Sequence, residues 1–301
     1  MTRDTHSTYD PKVMQFFDQY VHGIIDRRQF LRSIGSLALG GLTAAAVLES
    51  LTPRFAEAKQ VDDQDARISA SYVEFDSPNG YGRLRGYLVY PAHAAQHAVE
   101  KPLPAVLVVH ENRGLNPHIE DIARRLALEG YIAFAPDALT PLGGYPGDED
   151  KARELFSKLD QTKTRQDFIA AFQYLVSASN SSGRVGVIGF CYGGGISSFL
   201  ATKVPTLGAA VSFYGNAPNL DDVPAIRAPL QLHFAESDER INNAWPAYKT
   251  ALEKAGVPYT AYQYPGTQHG FNNDTTPRYN QPAANQAWQR SVAFFNDKLG
   301  K

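Results

Sequence analysis

The chain holds a single cysteine, Cys191, among 301 residues. One sulfhydryl excludes an intramolecular disulfide framework and a multi-cysteine zinc site, so the residue acts, if it acts, as a lone thiol. An excess of either charge is also missing, with 29 Lys plus Arg against 31 Asp plus Glu and a net charge of -2. So even a balance provides neither a basic track for a phosphate backbone nor an acidic tail, and nucleic acid is not the expected partner. Residues 59–301 contain no repeat, no low-complexity tract and no long linker. The chain has 43% hydrophobic and 20% charged residues, with 24 Gly and 19 Pro. That composition is ordinary for a globular protein and excludes a collagen, a coiled coil or a disordered chain.

Long hydrophobic runs are scarce as well. The charge-free stretch from Ile34 to Leu48 is diluted by Gly35, Ser36, Gly40, Gly41 and Thr43. As a helix it would reach roughly 22 Å, short of the ~30 Å hydrocarbon core. Its flanks are informative: Asp26-Arg27-Arg28-Gln29-Phe30-Leu31-Arg32 precedes it, and Ala56-Glu57-Ala58 follows in the small-x-small form of a cleavage site. This is the layout of an export signal, and the paired arginines before Phe-Leu resemble a twin-arginine signal. The expectation is therefore an export segment over 1–58, read by the twin-arginine export machinery, and a single domain over 59–301 delivered to the periplasm or secreted. The alternative is a basic amphipathic helix packed on that domain.

Within 59–301, Ser71–Phe75 and Leu84–Tyr90 alternate like exposed antiparallel strands around an Asn79-Gly80 turn, and predict a sheet edge. Five short apolar runs follow: Ala105–Val109, Tyr131–Ala135, Val185–Ile188, Ala209–Phe213 and Leu230–Phe234. Their length suits strands buried on both faces of a parallel sheet. Between them, Ile119, Ile122, Ala123, Leu126 and Ala127 fall on one helical face, as do Phe168, Ala171, Phe172, Leu175 and Val176. Trp245–Ala255 and Ala283–Leu299 supply two more helices. Strand and helix alternation of this kind predicts an α/β fold, an open and mostly parallel sheet with helices on both faces. Ligands in such sheets bind at the carboxyl ends of the strands, so the chemistry is sought there.

Past Ile188 stands Gly189-Phe190-Cys191-Tyr192-Gly193-Gly194-Gly195, the Gly-x-nucleophile-x-Gly elbow with Cys in place of Ser. A strand that turns at once into a helix strains the central residue, and glycines two before and two after remove side chains that would collide. The helix N-terminus then favours a thiolate and a later oxyanion. Past Phe234, Asp238 sits in a polar loop, and His269 lies in a turn-rich loop beyond the final strand. Nucleophile, acid, base is the chain order of the hydrolase triad, with Glu236 and Glu239 as substitutes for the acid. The other histidines suit the role less well: His233 alternates inside a strand, and His93, His97 and His118 fall in early connections. After Val109, the loop His110-Glu111-Asn112-Arg113-Gly114 lacks the second histidine of a zinc protease motif. In the hydrolase geometry this loop supplies one oxyanion-hole N–H, assigned to Asn112, and Tyr192 supplies the other. Glu111 neighbours the thiol, or is a salt-bridge partner of Arg113 or Arg124.

Cys191 in Gly-Phe-Cys-Tyr-Gly-Gly, Asp238, His269-Gly-Phe271 and the His110–Gly114 loop together resemble the dienelactone hydrolase family, from about Tyr72 to Leu299. The resemblance implies an α/β-hydrolase fold, a Cys-His-Asp triad, and ester or lactone hydrolysis without a metal or organic cofactor. It also implies that Glu111 holds the resting cysteine as a neutral thiol and takes its proton when substrate binds. One departure stands out. The arginine that founding members place four residues after the catalytic histidine is Asn273 here, which leaves Arg113 and Arg278 as candidate cations for a substrate carboxylate. The expected function is hydrolysis of a small carboxylic ester or lactone. Acyl transfer or peptide cleavage on the same triad, and a non-catalytic ligand-binding homologue, are the rivals.

Overall fold

The computed structural model of the protein describes residues 9–37, 41–95 and 100–300. Four short helices come first: α1 (Pro11–Val21), α2 (Arg27–Gly35), α3 (Ala44–Leu51) and α4 (Phe55–Ala58). Local chemistry starts three of them. Asp10 caps α1 ahead of Pro11, Asp26 and Gln29 close a capping box on α2, and Thr43 caps α3. The first three share a small core in which Phe30, Ile34 and Leu51 are fully buried with Phe17 and Tyr20. The stretch from Ile34 to Leu48 is thus not one helix: α2 ends at Gly35 and α3 begins at Ala44, with residues 38–40 outside the described part. The first eight residues of the expected export segment also lie outside it.

The body is one eight-stranded mixed sheet, in the order β1-β2-β4-β3-β5-β6-β7-β8. Its strands are β1 (Ile68–Ser77), β2 (Gly82–Pro91), β3 (Leu103–Val109), β4 (Ile132–Pro136), β5 (Ser181–Phe190), β6 (Ala209–Phe213), β7 (Leu230–Ser237) and β8 (Tyr259–Gln268). The first two form the expected antiparallel edge hairpin, with Ser77 opposite Gly82 across the Asn79-Gly80 turn. Of these two strands only β1 lies at the sheet edge, however. β2 also pairs antiparallel with β4, and Leu84, Leu88 and Val89 are buried there. From β4 onward every pairing is parallel.

Helices α5 (Pro117–Leu128), α6 (Glu149–Ser157), α7 (Gln161–Val176), α8 (Tyr192–Lys203), α9 (Glu239–Asn242), α10 (Trp245–Ala255) and α11 (Gln281–Leu299) complete the fold. Two separate cores show that both sheet faces are covered. Phe168 and Leu175 of α7, Ile196 and Leu200 of α8 and Leu252 of α10 pack on one face. Ile119 and Ile122 of α5 and Phe295 and Leu299 of α11 pack on the other. Burial of each such side chain contributes about 1.5–3 kcal/mol. The placement of His118 differs from expectation: it is in the first turn of α5 rather than in a connection, buried, with its Nδ1 3.2 Å from Asp274. His97 lies outside the described residues.

Candidate active site

β5 ends at Phe190 and α8 begins at Tyr192, so Cys191 alone makes the turn, at φ 55° and ψ -111°. Such a backbone is strained for a residue with a Cβ. The surrounding glycines make the turn possible. A Cβ on Gly189 would lie 1.9 Å from the Gly193 carbonyl oxygen, and one on Gly193 would lie 2.2 Å from that of Val109. Cys191 N–H donates to the Phe213 carbonyl at 3.0 Å, tying the elbow to β6. The Tyr192 N–H, first in α8, belongs to the helix-terminal donors that have no acceptor within the helix.

Beyond β7, Asp238 Oδ2 lies 2.6 Å from His269 Nδ1, and both residues are buried, at 5% and 4% exposure. His269 follows β8 directly, and its Nε2 faces the thiol within 4.8 Å. The two alternative acids are engaged elsewhere or turned away. Glu236 accepts from Gly266 N–H at 2.8 Å, and Glu239 opens α9 on the surface. His233 is packed, between Gln231 and Tyr264.

The loop after β3 brings Glu111, Asn112 and Arg113 to the same cleft as Cys191 and His269. Glu111 pairs with neither expected arginine. Its Oε2 accepts from Asn273 Nδ2 at 3.0 Å, so the residue that departs from the family pattern is the one that holds it. Arg124 is 3.4 Å from Asp121, and Arg113 is 3.6 Å from Glu149. Arg113 and Arg278 both line the cleft, and both reach toward α1: Arg113 donates to the Val21 carbonyl at 3.1 Å, and Arg278 lies 3.4 Å from Asp18.

Sequence reasoning missed the contribution of the N-terminal helices. At the end of α1, His22 places its Nε2 3.6 Å from Cys191 Sγ and 3.3 Å from His269 Nε2. Asn112 Nδ2 donates to Val21 at 3.0 Å, Arg153 donates to the Tyr20 carbonyl, and Tyr20 O–H donates to Asp150. The capping signals at Asp10 and Asp26 were readable as helix starts, but nothing local reveals where those helices dock. Around Cys191 they leave two clefts lined in part by His22, one of about 150 Å³ and a more open one of about 380 Å³. The smaller is comparable to a cavity that admits a single small ring.

Electrostatics follow from this crowding. Burial opposes ionisation of Cys191, but His269 and His22 beside the sulfur override it and pull the thiol down to about 5. His269 is affected in the opposite sense. Burial lowers it, while the thiolate and Asp238 raise it to about 10. His22 is also raised, by Asp18 and the sulfur acting against burial. Two imidazoles at one sulfur thus favour a thiolate–imidazolium pair, in contrast to the neutral resting thiol that the resemblance implies.

A mostly parallel sheet covered on both faces, with Cys191 on a strand–helix elbow after β5 and Asp238 and His269 in the loops after β7 and β8, is the α/β-hydrolase arrangement. Residues 84–299 match the model of the dienelactone hydrolase family, and the chain belongs to that family. Residues 1–37 match a second model, described as YqhI-like. A Synechocystis protein named "Putative carboxymethylenebutenolidase" is 34% identical over 248 residues, 74% of this chain and 95% of that one. "Putative hydrolase fragment YghX" of Escherichia coli K12 is 54% identical over 121 residues, 40% of this chain and 99% of that one. The crystal structure of a Klebsiella pneumoniae "Putative Dienelactone Hydrolase" superposes with a TM-score of 0.66 at 29% identity, covering 75% of this chain and 98% of that one.

Proposed function

We propose that this hydrolase cleaves a small carboxylic ester or lactone through Cys191, His269 and Asp238. The observation that carries the reading is the buried 2.6 Å Asp238–His269 contact beside a thiol on a strained elbow. The Cys191 thiolate attacks the acyl carbon, and the N–H groups of Asn112 and Tyr192 receive the developing oxyanion. His269 gives its proton to the leaving alkoxide, leaving a thioester on Cys191. A water then attacks the thioester, His269 takes a water proton, and the thiolate departs with the acid released. Asp238 fixes the imidazole tautomer throughout. Glu111, next to the thiol loop, receives the thiol proton in molecules that rest protonated. Arg113 or Arg278 pairs with a substrate carboxylate, at the expense of its contact with α1. Short acyl esters and lactones, with and without a free carboxylate, test the reading. Turnover lost in Cys191→Ala supports it, and undiminished turnover in that variant contradicts it. An alcohol or amine acceptor that outcompetes water would instead favour acyl transfer.

The finer reading of residues 1–58 is export by the twin-arginine route, with delivery to the periplasm or beyond. It rests on Arg27-Arg28-Gln29-Phe30-Leu31 and on the weakly apolar stretch that follows. The Arg27 side chain lies 3.2 Å from Asp150 yet is 60% exposed, and Arg28 is exposed, so a receptor that takes the pair has to break one surface ion pair. No helix among the described residues is long and apolar enough to cross a membrane. Replacement of both arginines by lysine should trap precursor in the cytoplasm. Unchanged periplasmic delivery would remove the claim.

A further inference from the structure

Three lone-pair donors from three elements converge at the elbow. The His22 and His269 Nε2 atoms are 3.3 Å apart, His22 Nε2 is 3.6 Å from Cys191 Sγ, and all three atoms lie within 4.8 Å of one another. Each imidazole is held at its other nitrogen. Asp238 Oδ2 sits 2.6 Å from Nδ1 of His269, and the Asp18 carbonyl oxygen accepts from Nδ1 of His22 at 2.7 Å with its carboxylate 3.3 Å away. With the proton at Nδ1 each Nε2 offers a lone pair, and a cation held among the two nitrogens and the sulfur would engage all three donors.

Two of the three spacings suit zinc. Zinc bonds of about 2.05 Å to nitrogen and about 2.3 Å to sulfur, at a tetrahedral angle, place two nitrogens about 3.3 Å apart and nitrogen about 3.6 Å from sulfur. The His22–His269 and His22–Cys191 distances have those values, and the Cys191–His269 pair, within 4.8 Å, has to stand at about 3.6 Å in the loaded site. The Nδ1 contacts are the carboxylate and carbonyl supports that metal-bound histidines use. A thiolate with two imidazoles suits a borderline-soft divalent ion rather than calcium or magnesium.

We propose that the full-length chain binds one zinc ion through His22, His269 and Cys191, with the fourth position open to the cleft. Arg240 Nη2 also lies 3.0 Å from His22 Nε2, and its Nη1 donates to Asn216 Oδ1 at 3.2 Å; the residue is exposed, and entry of the ion displaces the guanidinium toward solvent. Binding expels the proton shared by Cys191 and His269, so zinc uptake releases acid. Nucleophile and base are then both occupied, and the N-terminal helices act as a latch that works only while His22 is attached to the chain.

The test uses purified full-length protein, stripped of metal and titrated with Co²⁺ as a coloured stand-in and with Zn²⁺ against a chromophoric chelator. One equivalent of cobalt should give tetrahedral bands with a thiolate-to-metal charge-transfer band, and Cys191→Ser should abolish the latter. His22→Ala should weaken zinc at least about 100-fold, more than loss of an outer partner typically costs. Should that variant fail to fold, Asp18→Asn keeps the imidazole and should weaken zinc about 10-fold. Equal affinity in the wild type and the folded variant, or a cobalt spectrum without the thiolate band, overturns the site. The readout is binding rather than turnover, so a chain that hydrolyses esters yet binds no metal would refute this inference and leave the catalytic reading intact.

Discussion

Asn273 Nδ2 donates to Glu111 Oε2 at 3.0 Å, joining the loop after β8 to the loop after β3 at the position where the family's founding members carry an arginine. A neutral donor replaces a cation next to a carboxylate whose proposed task is to take a proton. Glu111→Gln should therefore slow acylation of the fraction that rests as a neutral thiol, about 10- to 100-fold, while the fold persists, since the shape is kept and a proton acceptor is lost. Asn273→Ala should slow it less, because Glu111 remains but loses its anchor. Single-turnover acylation with melting curves for both variants checks the order. Wild-type acylation in Glu111→Gln would return that residue to a structural role.

The elbow makes a stability prediction. A Cβ on Gly193 would sit 2.2 Å from the Val109 carbonyl oxygen, a backbone atom that cannot swing aside. Gly193→Ala should cost about 1–3 kcal/mol or more, through displacement of β3 from α8. Denaturant unfolding reads it, and an unchanged midpoint would mean that the strand and helix are not packed as described.

Phe30 is fully buried, with its ring stacked 5.3 Å from that of Tyr20. Truncation of such a side chain typically costs 3–5 kcal/mol, which here falls on the N-terminal helices alone. Phe30→Ala should leave the sheet domain folded and expose Cys191 by loosening the His22 contact. Alkylation by iodoacetamide should then accelerate, with far-ultraviolet circular dichroism nearly unchanged. A slower or equal rate would show that these helices do not shield the thiol.

Much of this architecture was legible in the sequence because it is written locally. Apolar runs such as Ala105–Val109, the Gly189-x-Cys191-x-Gly193 pattern and the loop positions of Asp238 and His269 each reflect a short-range constraint of backbone and side-chain size. The role of Asn273 was not legible, since its partner is 162 residues away. Nor was the arrival of His22 at Cys191. The composition of residues 1–58 reads as an export segment or as a packed amphipathic helix, and only tertiary packing of Phe17, Tyr20 and Phe30 fixes where α1 ends.

The ion pair carries a pH signature. Cys191 is pulled down to about 5 by His269 and His22 against burial, and His269 is raised to about 10 by the thiolate and Asp238 against burial. The reactive thiolate should thus appear as pH rises through about 5, and its imidazolium partner should be lost near 10. Alkylation rates and kcat/KM should share the acidic limb. His269→Ala removes the principal cation, so that limb should move up toward the ordinary thiol range and alkylation at neutral pH should slow. A limb that stays in place in His269→Ala would contradict the pairing.

Because Cys191 is the only sulfhydryl in the chain, the central claim reduces to one titration. Metal-free protein is treated with increasing iodoacetamide, mass spectrometry counts the adducts, and hydrolysis of a short acyl ester is measured on each sample. Activity should fall one for one with modification of Cys191 and vanish at one equivalent, in protein that remains folded. Fully alkylated, folded protein that hydrolyses the ester at the wild-type rate would show that Cys191 is not the nucleophile.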